Sequence, residues 1–174
     1  MLVKWPNKPC LSRYKILKIL PFDSTRKMMS VIVKLPESNR FVLFTKGADS
    51  AVFARLRADQ SDHKIVSEGH VDKYARSGLR TLVFGKRELS ELEVEIFINN
   101  IEKAEQNMFN PDLVQDEYEK LETNLEFLGV TAIEDRLQEG VPETIKSLRD
   151  AGLAVWVLTG DKLQTAIEIA RRIG

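Results

Sequence analysis

The chain has 174 residues, 43% hydrophobic and 30% charged, with Lys plus Arg matching Asp plus Glu at 26 each. That is the composition of a soluble globular protein, long enough to bury a sizeable core in one large domain or two small ones, and it lacks the basic excess of a nucleic-acid binder. One cysteine, Cys10, and two histidines, His63 and His70, exclude an internal disulfide framework and a Cys/His metal cluster.

No window reaches the roughly 18 apolar residues of a membrane span. Residues 1–11 carry no apolar core of signal-peptide type. The chain is therefore expected to be soluble and suited to a reducing compartment.

Residues 1–13, with two Pro and little periodicity, predict an irregular lead-in. Residues 14–19 alternate weakly, as a strand does. Residues 21–27 form a polar break, which leaves Phe22 as an aromatic in a polar loop. The runs 28–35 and 40–45 are β-rich around a turn at 36–39 and predict a hairpin. Asp49 precedes an apolar pattern at Val52, Phe53 and Leu56, the place of a helix N-cap. Val71, Tyr74, Ala75 and Gly78 share one helical face. Residues 80–86 return to strand. Phe97, Ile101, Ala104 and Met108 recur at helical spacing within 91–108. A break at 110–112 precedes a short helix over 113–121.

The rhythm changes near residue 124. Strand (125–133), helix (Val141, Ile145, Leu148), strand (153–158) and helix (Leu163, Ala166, Ile167, Ala170, Ile173) follow in order. Gly152 sits where a helix C-terminal cap belongs. This βαβα order predicts a parallel sheet with crossover helices. The expected fold is thus an α+β unit with a largely antiparallel sheet over 14–124. An incomplete doubly wound α/β segment follows over 125–174.

Several residues suit anionic or nucleotide chemistry. An apolar strand ending in Thr159-Gly160-Asp161 and opening a helix is where open α/β sheets bind ligands. Gly160 allows close backbone approach, Thr159 offers a hydroxyl, and helix-start amides suit phosphate. Asp161 can bind a cation or nucleotide hydroxyls. A plain strand-to-helix turn capped by Asp161 fits the same residues. Asp135 holds the analogous place on the preceding strand and reads equally as a surface carboxylate. Lys46, at a strand end beside Gly47 and Ala48, can reach a phosphate; turn chemistry explains it as well. Phe22 can stack on a base or tuck into the core. Arg80 can pair with a phosphate bidentately or stay an exposed structural Arg.

Taken in order, four strings resemble the P-type ATPases. They are Phe22-Asp-Ser-Thr-Arg-Lys-Met-Met-Ser-Val31, Lys46-Gly-Ala, Gly78-Leu-Arg80-Thr, and Thr159-Gly-Asp-Lys-x-x-Thr165-Ala-x-x-Ile169-Ala. The resemblance covers roughly residues 14–174. Cation pumps of that family usually carry Asp-Pro-Pro-Arg where this chain has Glu134-Asp135-Arg136-Leu137. They often follow Lys-Gly-Ala with Pro-Glu, where this chain has Asp49-Ser50. Both departures resemble the phospholipid-translocating, or flippase, branch.

The resemblance implies an N-terminally truncated nucleotide-binding domain over 14–124 and part of a haloacid-dehalogenase-like phosphorylation domain over 125–174. It implies that Phe22 stacks on adenine with Ser24 nearby, and that Lys46 lines the pocket or reaches the phosphates. Arg80 would contact phosphates. Thr159, Gly160 and Asp161 would meet the nucleotide from the phosphorylation-domain side, with Asp135 supporting the hinge. ATP and Mg2+ are the implied cofactors.

The family's nucleophile string Asp-Lys-Thr-Gly-Thr is absent from these residues, as are Gly-Asp-Gly-x-Asn-Asp, which helps hold magnesium, and Asp-Gly-Glu-Thr. No catalytic residue and no metal ligand is therefore assigned, and the chain is expected to bind ATP without turning it over. The implied parent is an integral membrane protein that faces the cytoplasm with this part. It hydrolyses ATP through an aspartyl phosphate to move phospholipid across a membrane, and an accessory subunit is left open as a partner. Two alternatives remain: a non-catalytic nucleotide-binding module, and a soluble haloacid-dehalogenase-type phosphatase. The second needs an Asp-x-Asp nucleophile at a first strand end, and only scattered single Asp residues are present.

Overall fold

The computed structural model describes residues 1–4, 6, 11–36, 38, 40–107, 110, 112–134, 136–160 and 163–173. Two compact units divide the chain. The first comprises Met1–Lys64 with Val83–Gly129, and the second Ile65–Leu82 with Val130–Gly174.

The lead-in is more regular than its sequence predicts. Strands β1 (Leu2–Lys4) and β2 (Leu11–Arg13) pair antiparallel, Val3 opposite Ser12. The main sheet has five strands in the order β3 (Lys15–Asp23), β4 (Met28–Lys34), β5 (Phe41–Gly47), β6 (Leu79–Leu89) and β7 (Glu126–Glu134). The expected hairpin is β4 and β5, paired without interruption from Met28 opposite Gly47 to Lys34 opposite Phe41. β5 pairs just as regularly with β6, from Gly47 opposite Val83 to Phe41 opposite Leu89. β3 pairs antiparallel with β4, but its register shifts between Ile16 and Lys18 and again between Leu20 and Asp23.

Alternation along these strands makes two unlike faces. Leu20, Ser30, Ile32, Leu43 and Thr45 turn inward and are buried. Helices α3 (Glu91–Gln106) and α4 (Asp112–Leu121) cover that face. They bury Val94, Phe97, Ile101 and Ala104 from α3, and Tyr118 and Leu121 from α4. The rings of Phe97 and Tyr118 meet at 6.4 Å between centroids. A capping box starts α3, because Ser90 accepts from the Glu93 amide and the Glu93 carboxylate accepts from the Ser90 amide.

One buried polar cluster lies within this core. The Arg26 and Glu122 side chains are both 0% exposed, and Arg26 Nη1 donates to both Glu122 carboxylate oxygens at 2.6 Å. The Ser30 hydroxyl donates to Glu122 Oε1 and lies 2.8 Å from the Thr45 hydroxyl. The Arg26 guanidinium also rests 4.8 Å from the centre of the Tyr118 ring. β3, β4, β5 and the end of α4 thus converge on one ion pair.

The expected cap at Asp49 is not formed. Ala48 is the N-cap of α1 (Asp49–Phe53), and Asp49 is its first helical residue, with Oδ1 accepting from the Ser50 amide. The physical reason is the strand end. β5 runs to Gly47, and the Ala48 amide is bonded to the Lys27 carbonyl, so Ala48 is the residue that turns into the helix.

Helix α2 (Ser61–Arg76), which enters the second unit at Ile65, buries Val71 and Ala75, and Gly78 follows its end with a positive φ of 74°. Helices α5 (Val141–Asp150) and α6 (Leu163–Ile173) form where expected. Gly152, at φ 79°, closes α5 as a Schellman motif: its amide bonds to the Arg149 carbonyl, and that of Leu153 to Leu148.

The predicted strand at 153–158 does not form. The segment has no regular structure, and Trp156 is 84% and Leu158 92% exposed. A parallel strand gains its stability from neighbours on its edges and helices on its faces. Among the described residues no strand pairs with this one. Of the elements expected after residue 125, the helices α5 and α6 form, and β7 joins the main sheet beside β6.

Removing one partner of a buried pair strands the other charge in a dry environment. Glu122→Ala should lower unfolding free energy by about 3–5 kcal/mol, measured by urea denaturation. A loss under about 1 kcal/mol, the size of an exposed pair, would contradict this account of the core.

Candidate functional site

The face of the main sheet opposite α3 and α4 carries the candidate ligand contacts. Its shape begins in the turn joining β3 to β4. The Asp23 carbonyl accepts from the Lys27 amide at 2.7 Å, and Asp23 Oδ1 accepts from the amides of Thr25 and Arg26 at 2.8 and 3.0 Å. An Asp side chain that bonds the amides ahead of it is a common way to fold a turn. Those bonds, the one to Arg26 foremost, hold the Asp23 carboxyl below its ordinary value of 3.8, against a smaller opposing effect of desolvation. Lys27 closes the turn in the left-handed region at φ 57°.

Phe22 is not in a loop, as its polar surroundings predict, but in the last turn of the β3 ladder. Leu20 pairs with Ser30 and Asp23 with Met28, so three steps along β3 match two along β4. The extra residue is a β-bulge, and a bulge re-aims the side chains that follow it. Met28 and Ser30 share the buried face. Phe22, one residue before Asp23, therefore emerges on the other face, where it is 65% exposed. Pro21 suits the bulge because it has no amide to donate. Its carbonyl accepts from Arg26 Nη2 at 2.6 Å.

Lys46 belongs to this second face. It is exposed, and it lies opposite Met29 of β4 and Phe84 of β6. Phe44, two residues before it, is 36% exposed and lies opposite Lys86, which pairs with Glu126 at 3.3 Å. Ser24 is exposed in the turn. The turn and the end of β5 are tied directly, since the Ala48 amide donates to the Lys27 carbonyl at 2.9 Å. Gly47 permits this approach. A Cβ there would stand 2.6 Å from both the Lys27 carbonyl oxygen and Met28 Cβ. Phe22, Ser24 and Lys46 thus gather at one end of one sheet. An exposed ring and an ammonium group at such an end can take a flat base with an anionic tail, by stacking and by charge.

The remaining candidates belong to the second unit. Arg80 is exposed near the start of β6, three residues before Val83, the partner of Gly47. Thr159 and Gly160 are exposed after the irregular segment that precedes α6. Asp135 and Asp161 lie outside the described residues. Among the described residues no group of three or more His, Cys, Asp and Glu comes together in a way that can hold a metal. Nor is any helix among them long and apolar enough to cross a membrane.

Sequence reasoning passed over Arg26 and Glu122, which lie beneath this site and 96 residues apart. A signal was present in the strands. Ser30 and Thr45 occupy inward positions between Met28 and Ile32 and between Leu43 and Gly47. Small hydroxyl residues at buried strand positions need a polar partner.

Residues 3–140 match the family described as "P-type ATPase, cytoplasmic domain N". The chain is 45% identical over 159 residues to a protein of Arabidopsis thaliana named "Probable phospholipid-transporting ATPase 12", a match covering 90% of this chain and 13% of that one. It is 44% identical over 168 residues to human "Phospholipid-transporting ATPase VD", covering 90% of this chain and 12% of the relative. Human "Phospholipid-transporting ATPase VB" is 43% identical over 180 residues, with 97% of this chain and 12% of the relative covered. The chain therefore spans only a small part of the length of these relatives.

Two outcomes test the geometry. Gly47→Ala forces a methyl group against the Lys27 backbone and should cost about 1–3 kcal/mol in urea unfolding, as overpacking does; an unchanged midpoint would contradict the close approach. Because the folded Asp23 carboxyl is depressed, its support of the turn is complete above pH 3.8 and is lost as pH falls through the lower folded value. The Thr25 and Arg26 amide shifts should titrate with a midpoint below 3.8, and Asp23→Asn should abolish that titration. A midpoint at or above 3.8 would show that the carboxylate does not hold the turn.

Proposed function

This chain belongs to the P-type ATPase family, and from that membership we propose that it binds ATP through the end of the sheet that carries Phe22, Ser24 and Lys46. The observation that carries the reading is the placement of Phe22, a large apolar ring left 65% exposed at the sheet end where Lys46 is also exposed. A stacked base contributes about 1–3 kcal/mol. The Lys46 ammonium supplies a charge-assisted hydrogen bond to a phosphate oxygen or lines the adenine pocket. Ser24 supports the nucleotide from the turn.

In this reading residues 14–124 are a nucleotide-binding domain. Residues 125–174 belong to a phosphorylation domain of haloacid-dehalogenase type. Arg80 reaches phosphate from the first, Thr159, Gly160 and Asp161 meet the nucleotide from the second, and Asp135 supports the hinge. The residues present suit a nucleotide better than they suit its metal. Mg2+, when bound with ATP, neutralises phosphate charge, and most of its ligands are assigned outside these residues.

The relatives are named for phospholipid transport, and we extend that activity to the whole protein from which this chain comes. That protein hydrolyses ATP through an aspartyl phosphate and moves phospholipid across a membrane, with this part facing the cytoplasm. The nucleophile string is not among these residues, so the chain itself binds ATP and does not turn it over. An accessory subunit is a further partner in this proposal.

An ATP titration followed by backbone amide shifts tests the reading. Saturable shifts at Phe22, Ser24 and Lys46 are expected, with a dissociation constant of about 1 mM or weaker. Phe22→Ala and Lys46→Ala should each weaken binding by roughly tenfold, the size of one lost stacking or charged contact. No saturable shift in the folded chain, or wild-type affinity in both variants, would overturn the proposal.

A further inference from the structure

We infer that Arg26, held by Glu122, is a positioning residue for the nucleotide contact: its guanidinium fixes the β3 bulge that turns Phe22 onto the ligand face. The nucleotide part of this inference rests on the proposed function, whereas the positioning part stands on the fold alone.

Two buried charges give up their hydration, and an ion pair of this kind is commonly no more stabilising than hydrophobic side chains of the same volume. The best-attested use of such a pair is to specify register. Register is what the surrounding contacts concern. Arg26 Nη2 donates to the carbonyl of Pro21, the residue immediately before Phe22 and inside the bulge between Leu20 and Asp23. Arg26 Nη1 is held by both oxygens of Glu122. Glu122 in turn accepts from Ser30, which pairs with Leu20 on one side and Thr45 on the other. One carboxylate therefore reads the alignment of three strands, and one guanidinium transmits it to the backbone beside Phe22.

A strand that loses its bulge shifts alternation by one residue, and each side chain beyond the shift changes face. Phe22 would then turn toward the side where Leu20, Met28 and Ser30 are buried. Arg26 never needs to touch the ligand to control this contact. Its Nη1 and Nη2 groups carry the contacts to Glu122 and Pro21.

The test uses the 174-residue chain. The double variant Arg26→Met with Glu122→Leu replaces the pair by apolar side chains of similar volume, which such sites tolerate. Its urea midpoint should stay near that of the wild type. Without nucleotide, the Phe22 backbone and ring shifts should move away from the wild-type values. ATP affinity should fall by roughly tenfold, as for Phe22→Ala. In a Phe22→Ala background the same pair of substitutions should cause no further loss, because contacts acting through one residue are not additive. If the double variant does not fold, Arg26→Lys carries the same test, since an ammonium keeps a charge beside Glu122 but lacks the planar fork that also reaches Pro21. Folded variants with wild-type Phe22 shifts would overturn the inference. So would a loss of affinity that persists undiminished in the Phe22→Ala background. Should the wild type itself not respond to ATP, the nucleotide reading falls, and the nucleotide-free Phe22 shifts still decide whether Arg26 sets the ring.

Discussion

The buried contact between Arg26 and Glu122 ties the end of α4 to the β3–β4 turn and the middle of the main sheet. Neither side chain can leave its partner without stranding a charge in the core. Each is also bonded elsewhere, Arg26 to the Pro21 carbonyl and Glu122 to the Ser30 hydroxyl. The end of α4, the β3–β4 turn and the middle of the sheet must therefore be correct together. A one-step slide would carry buried side chains to the open face, and a directional polar cluster adds its own penalty against it.

From that constraint follows the division of labour between the faces. On the inward face Leu20, Ile32 and Leu43 pack under α3 and α4, and the polar cluster lies among them. The outward face keeps Phe22 and Phe44 accessible with Lys46 exposed near them. The bulge between Leu20 and Asp23 is what separates the fate of Leu20, fully buried, from that of Phe22.

Much of this was legible in the chain. The β-rich runs 28–35 and 40–45 correspond to β4 and β5, and Phe97, Ile101 and Ala104 mark the buried stripe of α3. Gly152 closes α5 as its position predicts. Phe22 and Lys46 stood out by their local chemistry, with other readings open, whereas Ser24 entered only through the order of the motifs. What stayed hidden was non-local. The ion pair joins residues 96 positions apart, and the bulge shows only in the register of β3 against β4. The segment 153–158 illustrates the reverse failure. Its apolar run is a strand by pattern, but a strand needs a paired neighbour, and among the described residues it has none.

The central claim is that an adenine ring meets the sheet end where Phe22 lies and Lys46 is exposed. Photolabelling with 8-azido-ATP, followed by peptide mapping, addresses it most directly, because the reactive group sits on the base. Label is expected in peptides covering residues 20–30 or 42–48, suppressed by excess ATP. Label confined to the α3 and α4 surface, or label that ATP does not displace, would contradict it.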